Sequence, residues 1–316
     1  MQEICQRLQS LVSDAVVKCA PESISLSGGL DSSILAFCLD NKTTRAYAMV
    51  ASNFPSTDLV NAQLVAKLCD MKLNIISAPI DELLQAVEQT IKILEVFNPI
   101  EIRNNIVVYL TMKSAKNDGS KSVMTGDGAD ELFAGYNFFQ RMSSSELQQD
   151  LERIWQVMHF PSRSISKSLG IHLHTPFLDE NVVKYAKSLP AELKVHEENG
   201  QKYGKWILRK TFEKLLPQSI TWRAKAAMQD GSGTNGLTGF LDGVISDSAF
   251  LEKTVKYLKE EQVTLPTKEA LYYYEIYRKY FDYPAMIKSS ENRCPHCNYS
   301  LKVGSHFCRM CGSFPI

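Results

Sequence analysis

The sequence predicts an α/β fold: a parallel sheet of about five strands with helices on both faces, then a helical C-terminal part and a small cysteine-held appendage. Three observations predict it. Over residues 1 to 140, short β-branched runs alternate with longer stretches of helical spacing. From 141 to 285 helical spacing dominates, punctuated by Pro161, Pro176, Pro190 and Pro217. Residues 294–312 then carry four cysteines in two C-x2-C pairs. At 316 residues, with 44% hydrophobic and 22% charged side chains, the chain has the means to bury a sizeable core.

The elements follow in order. Residues 3–18 have helical apolar spacing, 22–26 end a buried strand and 32–39 form a helix, so 27–31 is a strand-to-helix turn. The alternation continues with strand 45–50, helix 58–70, strand 73–77, helices 81–96 and 103–117, and strand 121–125. That order places ligand-binding turns at the carboxyl ends of the strands. Cys5, Cys19, Cys38 and Cys69 sit singly in helical patterns, as small apolar residues do. In the helical part, Tyr272, Tyr273, Tyr274 and Tyr277 have the spacing of a core or interface face, and the glycine-rich stretch 228–243 reads as a mobile loop. His172 and His174 alternate in an extended stretch, too few by themselves for a metal site. No internal repeat is evident.

Two turns carry the chemistry. The first, "LSGGLDS" at 26–32, opens a helix whose first N–H groups lack partners. Gly28 and Gly29 let a phosphate approach that backbone. An S-G-G triplet alone also suits an ordinary βα turn. Asp31 argues for more, because a carboxylate beside a phosphate needs a cation between them, and Mg²⁺ binds through few carboxylates plus phosphate oxygens. No G-K-[ST] follows a glycine run, which excludes a Walker-type loop. The second turn, "TGDGADELFAGY" at 125–136, holds Asp127, Asp130 and Glu131, more carboxylates than a turn needs. Asp130 is the second expected Mg²⁺ ligand beside Asp31.

Basic and acidic residues cancel at 35 each, so no overall field draws the protein to nucleic acid or an anionic membrane. No apolar run reaches the ~20 residues of a transmembrane helix, and residues 1–20 lack a signal-peptide core. The expectation is a cytoplasmic protein without membrane partners.

With both turns in view, the sequence resembles the synthetase domain of asparagine synthetases of the asparagine synthase B type, within the PP-loop ATP pyrophosphatase superfamily and its S-G-G-x-D-S signature. "TGDGADELFAGY" is similar to the family's SGEGADELFGGY, and "PFLD" at 176–179 matches its PFLD. "GKWILRKTFEKLLPQSITWRAKAAMQDGSG" at 204–233 resembles its K-x-x-L-R segment and the R-x-K and glycines that follow. The likeness runs from about residue 22 to 240.

The resemblance implies an ATP-dependent, AMP-forming amide synthetase that activates a carboxylate, aspartate in the family, as an acyl-adenylate and amidates it with ammonia. It implies roles for Leu26, Ser27, Gly29, Asp31 and Ser32 in the ATP and pyrophosphate loop, and a backbone contact of Met49 to adenine. It also implies that Thr125, Gly126 and Asp127 close over nucleotide and acyl intermediate, and that Lys225 reaches the phosphates. Arg103 matches an arginine suited to a substrate carboxylate. Two departures stand out: Asp127 replaces a Glu, and His172 and His174 replace a Glu and an Arg before PFLD. Gln2 follows Met1 and the ATP loop begins at Ser27, so no glutaminase domain is expected; the nitrogen comes from free ammonia, from another amine, or from ammonia supplied by a separate glutaminase partner.

The appendage, "CPHCNYSLKVGSHFCRMCG", spaces Cys294, Cys297, Cys308 and Cys311 as two knuckles joined by a hairpin, the pattern of a structural Zn²⁺ ribbon. Lys288, Arg293, Lys302 and Arg309 against Glu291 and the thiolates leave it nearly neutral, which favours docking of a protein or plain capping and leaves tRNA contact open. The expected layout is therefore a synthetase-like domain at 1–285 (nucleotide-binding part 20–140, helical part 141–285), a linker at 286–292 and a zinc ribbon at 293–316. Alternatives remain beside it: a tRNA-thiolating PP-loop enzyme or another adenylating amidotransferase, and a nucleotide-binding scaffold without catalysis.

Overall fold

The computed structural model describes residues 1–39, 43–198, 200–287, 292–302 and 304–316. Residues 288–291, most of the expected linker together with Lys288 and Glu291, lie outside the described residues. The chain divides into two units. The first comprises Met1–Met49, Thr57–Ile76 and Thr111–Ala227, the second Val50–Ser56, Ser77–Leu110 and Met228–Ile316.

A five-stranded sheet lies mainly in the first unit. Its strands are β1 (Ser23–Ser25), β2 (Arg45–Ala51), β3 (Leu73–Ala78), β4 (Ser122–Met124) and β5 (His172–His174), in the order β3-β2-β1-β4-β5. The last two residues of β2 and of β3 fall in the second unit. β1 pairs in parallel with β2 and β4, and β4 with β5. Every position of β2 from Ala46 to Ala51 is buried, as a strand covered on both faces requires. From β1 the chain moves outward to β2 and β3, then returns to β4 on the other side. Such a reversal opens a crevice at the carboxyl ends of the two central strands, and both glycine-rich turns follow those strands. The fifth strand is the extended stretch that holds His172 and His174.

Three helices pack on this frame: α1 (Gln2–Cys19), α2 (Leu30–Cys38) and α3 (Asp58–Leu68). α1 buries Leu8, Leu11, Val12, Ala15 and Val16, a stripe at i, i+3, i+4, i+7 and i+8. It joins Ile34 and Leu35 of α2, Ala62 and Val65 of α3, and Ile24 and Leu26 in one core. Each large aliphatic side chain so buried contributes about 1.5–3 kcal/mol, and a charge placed at Val12 would break the stripe at its centre.

The second unit holds α4 (Ile80–Leu94), the first part of α5 (Pro99–Asn117) and the helices Gly236–Val244, Asp247–Glu261 and Lys268–Arg278. α5 begins four residues before the expected 103, because Asn98 Oδ1 accepts from the amides of Ile100 and Glu101 at 3.1 and 3.4 Å and Pro99 suits the first helical position. Tyr273, Tyr274 and Tyr277 are buried, as their spacing predicts. The expected mobile loop at 228–243 is instead largely helical, Met228–Ser232 and Gly236–Val244. Two of its glycines serve close packing: a Cβ at Gly236 would fall 2.3 Å from the Phe54 ring, and one at Gly233 2.8 Å from the Pro55 carbonyl.

Candidate active site

The turn after β1 is forced by its backbone. Gly28 adopts φ +73°, and a Cβ there would lie 2.4 Å from the Ala62 amide nitrogen, so only glycine fits. Ser27 Oγ stands 3.1 Å from Ser32 Oγ and accepts from the Gly29 amide at 3.3 Å, while Ser33 donates to the Gly29 carbonyl at 2.7 Å. These bonds fold the loop over the first turn of α2. Leu26 is buried, its amide donating to the Tyr47 carbonyl at 2.8 Å. Met49 is buried on β2.

The turn after β4 touches the first one: a Cβ on Gly126 would approach that of Asp31 to 2.9 Å. Between the two turns lies a compact ionic cluster. Lys205 Nζ is 2.6 Å from Asp31 Oδ2 and 2.6 Å from Asp130 Oδ1, and Lys225 Nζ donates to the same Asp130 oxygen. Lys225 also stands 4.8 Å over the Tyr136 ring, a cation–π contact. The cluster is tightly walled, since a Cβ on Gly135 would fall 1.8 Å from Asp130 Oδ1.

Burial sets the electrostatics. It raises the Asp31 carboxyl, with Lys205 opposing and Asp130 reinforcing. Burial pushes Asp130 the same way, but the Lys205 and Lys225 ammoniums together outweigh it and hold that carboxyl well below the usual range. For Lys205, burial is overcome by Asp130 and Asp31, and its pKa rises. Lys225 goes down, because burial and the neighbouring Lys205 outweigh Asp130. Two carboxylates and two ammoniums thus face one another in the cluster.

Asp31 Oδ1 is buried and without a hydrogen-bond partner. A carboxylate oxygen left bare beside a second carboxylate is a donor set that suits Mg²⁺. Asp31 and Asp130 fit as its holders.

Asp127 occupies a separate niche of the same turn. Its Oδ2 accepts from Ser162 at 2.5 Å and from Thr125 at 3.0 Å. Burial raises its pKa despite both hydrogen bonds and the nearby Arg163. Glu131, also raised by burial, accepts from the Tyr136 hydroxyl at 2.5 Å and so serves the turn's own structure. His174 is lowered by burial and then by His172, its ring neighbour.

The sequence profile of the family described as asparagine synthase matches residues 3–169 and 144–297, nearly the whole chain. The chain belongs to the asparagine synthase family. It is 31% identical over 278 residues to the glutamine-hydrolysing asparagine synthetase of Gallus gallus, covering 81% of this chain and 48% of that one. It is 28% identical over 302 residues to asparagine synthetase B of Escherichia coli (strain K12), covering 90% and 54%. The structure of NMN synthetase from Francisella tularensis aligns over 89% of this chain and 96% of its own, at 14% identity and a TM-score of 0.31. The chain spans about half the length of the curated relatives it matches.

In this asparagine synthase family member the structure brings Asp31, Asp130 and Lys225 together with Lys205, which the sequence reading did not single out. Lys205 adopts φ +54° at the start of the helix Trp206–Phe212, and its amide donates to the Phe133 carbonyl at 3.0 Å. Its signal in the sequence was the family-like K-x-x-L-R stretch, of which it is the first residue.

Arg103 belongs to the second unit, where its guanidinium pairs with buried Glu269 and donates to Gln229 at 3.1 Å and Thr238 at 3.0 Å. Cys294, Cys297, Cys308 and Cys311 also lie in the second unit, with their sulfurs within 4.8 Å of one another. Among the described residues no helix is long and apolar enough to cross a membrane.

Proposed function

We propose that this chain is an ATP-dependent, AMP-forming carbon–nitrogen ligase that activates the carboxylate of aspartate and amidates it with ammonia. The observation that carries the reading is the Asp31–Lys205–Asp130–Lys225 cluster, held between two glycine-rich turns at the carboxyl ends of β1 and β4. Leu26, Ser27, Gly28, Gly29 and Ser32 cradle the pyrophosphate end of ATP, and Met49 offers its backbone to adenine. Mg²⁺, held by Asp31 and Asp130, supplies charge neutralisation on the phosphates when bound.

The chain's own groups do the rest. A substrate carboxylate oxygen attacks the α-phosphorus, the bond to the β-phosphate bridging oxygen breaks, and pyrophosphate leaves against Lys205 and Lys225. Thr125 and Gly126 border the acyl-adenylate. Ammonia then attacks the acyl carbon and AMP departs, the surplus proton passing to Asp127. That carboxyl is suited to the task because burial raises its pKa and two hydroxyls fix its orientation. Arg103 is assigned to the substrate carboxylate on the likeness alone. The four single cysteines, Cys5, Cys19, Cys38 and Cys69, none joined in a disulfide, support a cytoplasmic setting.

Pyrophosphate release from Mg-ATP with aspartate and ammonium, compared between the wild type and Asp31→Ala, tests the reading. Release accompanied by asparagine, and lower by about a hundredfold or more in the variant, supports it. Absence of aspartate-dependent release overturns the substrate assignment, and glutamine replacing ammonium without loss of rate overturns the nitrogen source.

A further inference from the structure

The four cysteine sulfurs of the second unit take no part in the ligase chemistry proposed above. Cys294 and Cys311 are 3.8 Å apart at sulfur, and Cys297 and Cys308 3.7 Å. Sulfurs arranged tetrahedrally at about 2.3 Å from Zn²⁺ stand about 3.8 Å from one another, whereas a disulfide needs about 2.05 Å. Both C-x2-C pairs close alike. The Asn298 amide returns to the Cys294 carbonyl at 2.9 Å and the Gly312 amide to the Cys308 carbonyl at 2.8 Å. The residue after each second cysteine is left-handed, Asn298 at φ 57° and Gly312 at φ 84°. The His296 amide donates to Cys294 Sγ at 3.4 Å, and Ser313 Oγ lies 3.1 Å from Cys311 Sγ.

We propose that these four thiolates bind one Zn²⁺, and that the loaded knuckles clasp the start of α5 and thereby fix Arg103. Binding converts four thiols to thiolates and gives their protons to solvent, with no change of oxidation state. The site is closed: Cys294, Cys297 and Cys308 are fully buried and all four positions are protein sulfur, the pattern of a structural zinc. Among the described residues of 292–316 the buried apolar side chains besides cysteine are Leu301 and Met310, too few for a core, so order there comes from the metal.

The second cysteine pair reaches the start of α5 and the two residues before it through three contacts. Arg309 forks onto the Glu101 carboxylate, with Nε at 3.0 and 3.1 Å and Nη2 at 2.5 Å. Met310 accepts from the Phe97 amide at 3.0 Å. Gly312 lies against Asn98, the residue that caps α5, and a Cβ there would fall 2.5 Å from Asn98 Oδ1. Two and three residues beyond Glu101, Arg103 and Asn104 hold the segment that the chain enters just after Lys225. The Arg103 carbonyl accepts from Thr234 Oγ1 at 3.0 Å, and Asn104 Oδ1 accepts from the Gln229 amide at 3.1 Å. Because Arg309 is engaged with Glu101, and Arg293 with the Ala285 and Asn298 carbonyls, the knuckles are an internal brace rather than a basic docking face.

The full-length chain, purified without chelator, is assayed for metal by elemental analysis and for amide hydrogen exchange before and after zinc is stripped. One zinc per chain is expected, absent in Cys308→Ser. Stripping should accelerate exchange of amides at 99–105 and 229–234 by about tenfold or more, leave the sheet strands unchanged, and be reversed by added zinc. Glu101→Gln should keep the zinc and still loosen 99–105, which separates the clasp from simple misfolding of a cysteine variant. A chain that neither carries nor takes up zinc overturns the site. Bound zinc whose removal leaves 99–105 unchanged overturns the clasp.

Discussion

Lys205→Met removes an ammonium and keeps most of its stem. The lysine makes two contacts of 2.6 Å, to Asp31 and Asp130, with 6% of its side chain exposed. Removing one partner of a buried ion pair costs about 3–5 kcal/mol because the other charge is left uncompensated. Here the two carboxylates keep 21% and 24% exposure, and Lys225 still faces Asp130. Water and the second ammonium therefore absorb part of the loss, and the expected destabilisation is the low end, about 3 kcal/mol at pH 7. Asp31 bears most of it, since its Oδ1 already lacks a partner.

The pH dependence has a definite sign. Lys205 lowers both carboxyl pKa values, so its removal raises both. In the wild type the depressed Asp130 contributes stability that is present above its unfolded value, about 3.9, and lost as pH falls through its folded value. The variant keeps its carboxyls protonated to higher pH, so the gap between the proteins is widest near neutrality and narrows on acidification. Trp155, Trp206 and Trp222 all lie in the first unit, so urea unfolding followed by tryptophan fluorescence reports on that unit. At pH 7 the midpoint should fall by about 1.5 M. A loss below about 1 kcal/mol, the value of an exposed pair, or a gap that widens as pH falls, would refute the reasoning.

Gly135→Ala should be as damaging as losing the lysine, because its Cβ would displace Asp130 and Lys205; thermal melting and pyrophosphate release should both show it, release dropping by about tenfold or more. Ser162→Ala removes a hydroxyl that favours the charged form of Asp127, so the acid limb of the pH–rate profile should move to higher pH; an unmoved limb would exclude Asp127 as the titrating base. Glu269→Ala leaves the Arg103 guanidinium, 9% exposed, without its counter-ion and should cost about 3 kcal/mol or more in chemical denaturation.

Both turns were legible because their signals are local: glycines where the backbone must yield and an unusual number of carboxylates, each beside a strand end. Asp31 and Asp130, singled out there, meet at Lys205. Lys205 itself was not legible, since nothing in "YGKW" says that the lysine will reach back to an aspartate 174 positions earlier. The same limit applies to Arg103, whose counter-ion Glu269 is 166 positions away. The stretch 228–243 misled because glycines usually signal loops, whereas Gly233 and Gly236 are small to admit Pro55 and Phe54, residues the local sequence cannot reveal. The cysteine spacing was legible, but its attachment to Asn98 and Glu101 required the fold.

The two units are interleaved along the chain, each assembled from three separate stretches. Neither can be excised as a contiguous gene fragment. A truncation after Ala227 would retain every residue of the first unit yet strand 50–56 and 77–110 without the partners they meet in Met228–Ile316. In domain-swapping or fusion experiments the zinc-knuckle tail therefore behaves not as a detachable module but as the closing stitch of a unit whose other threads run through the middle of the sequence.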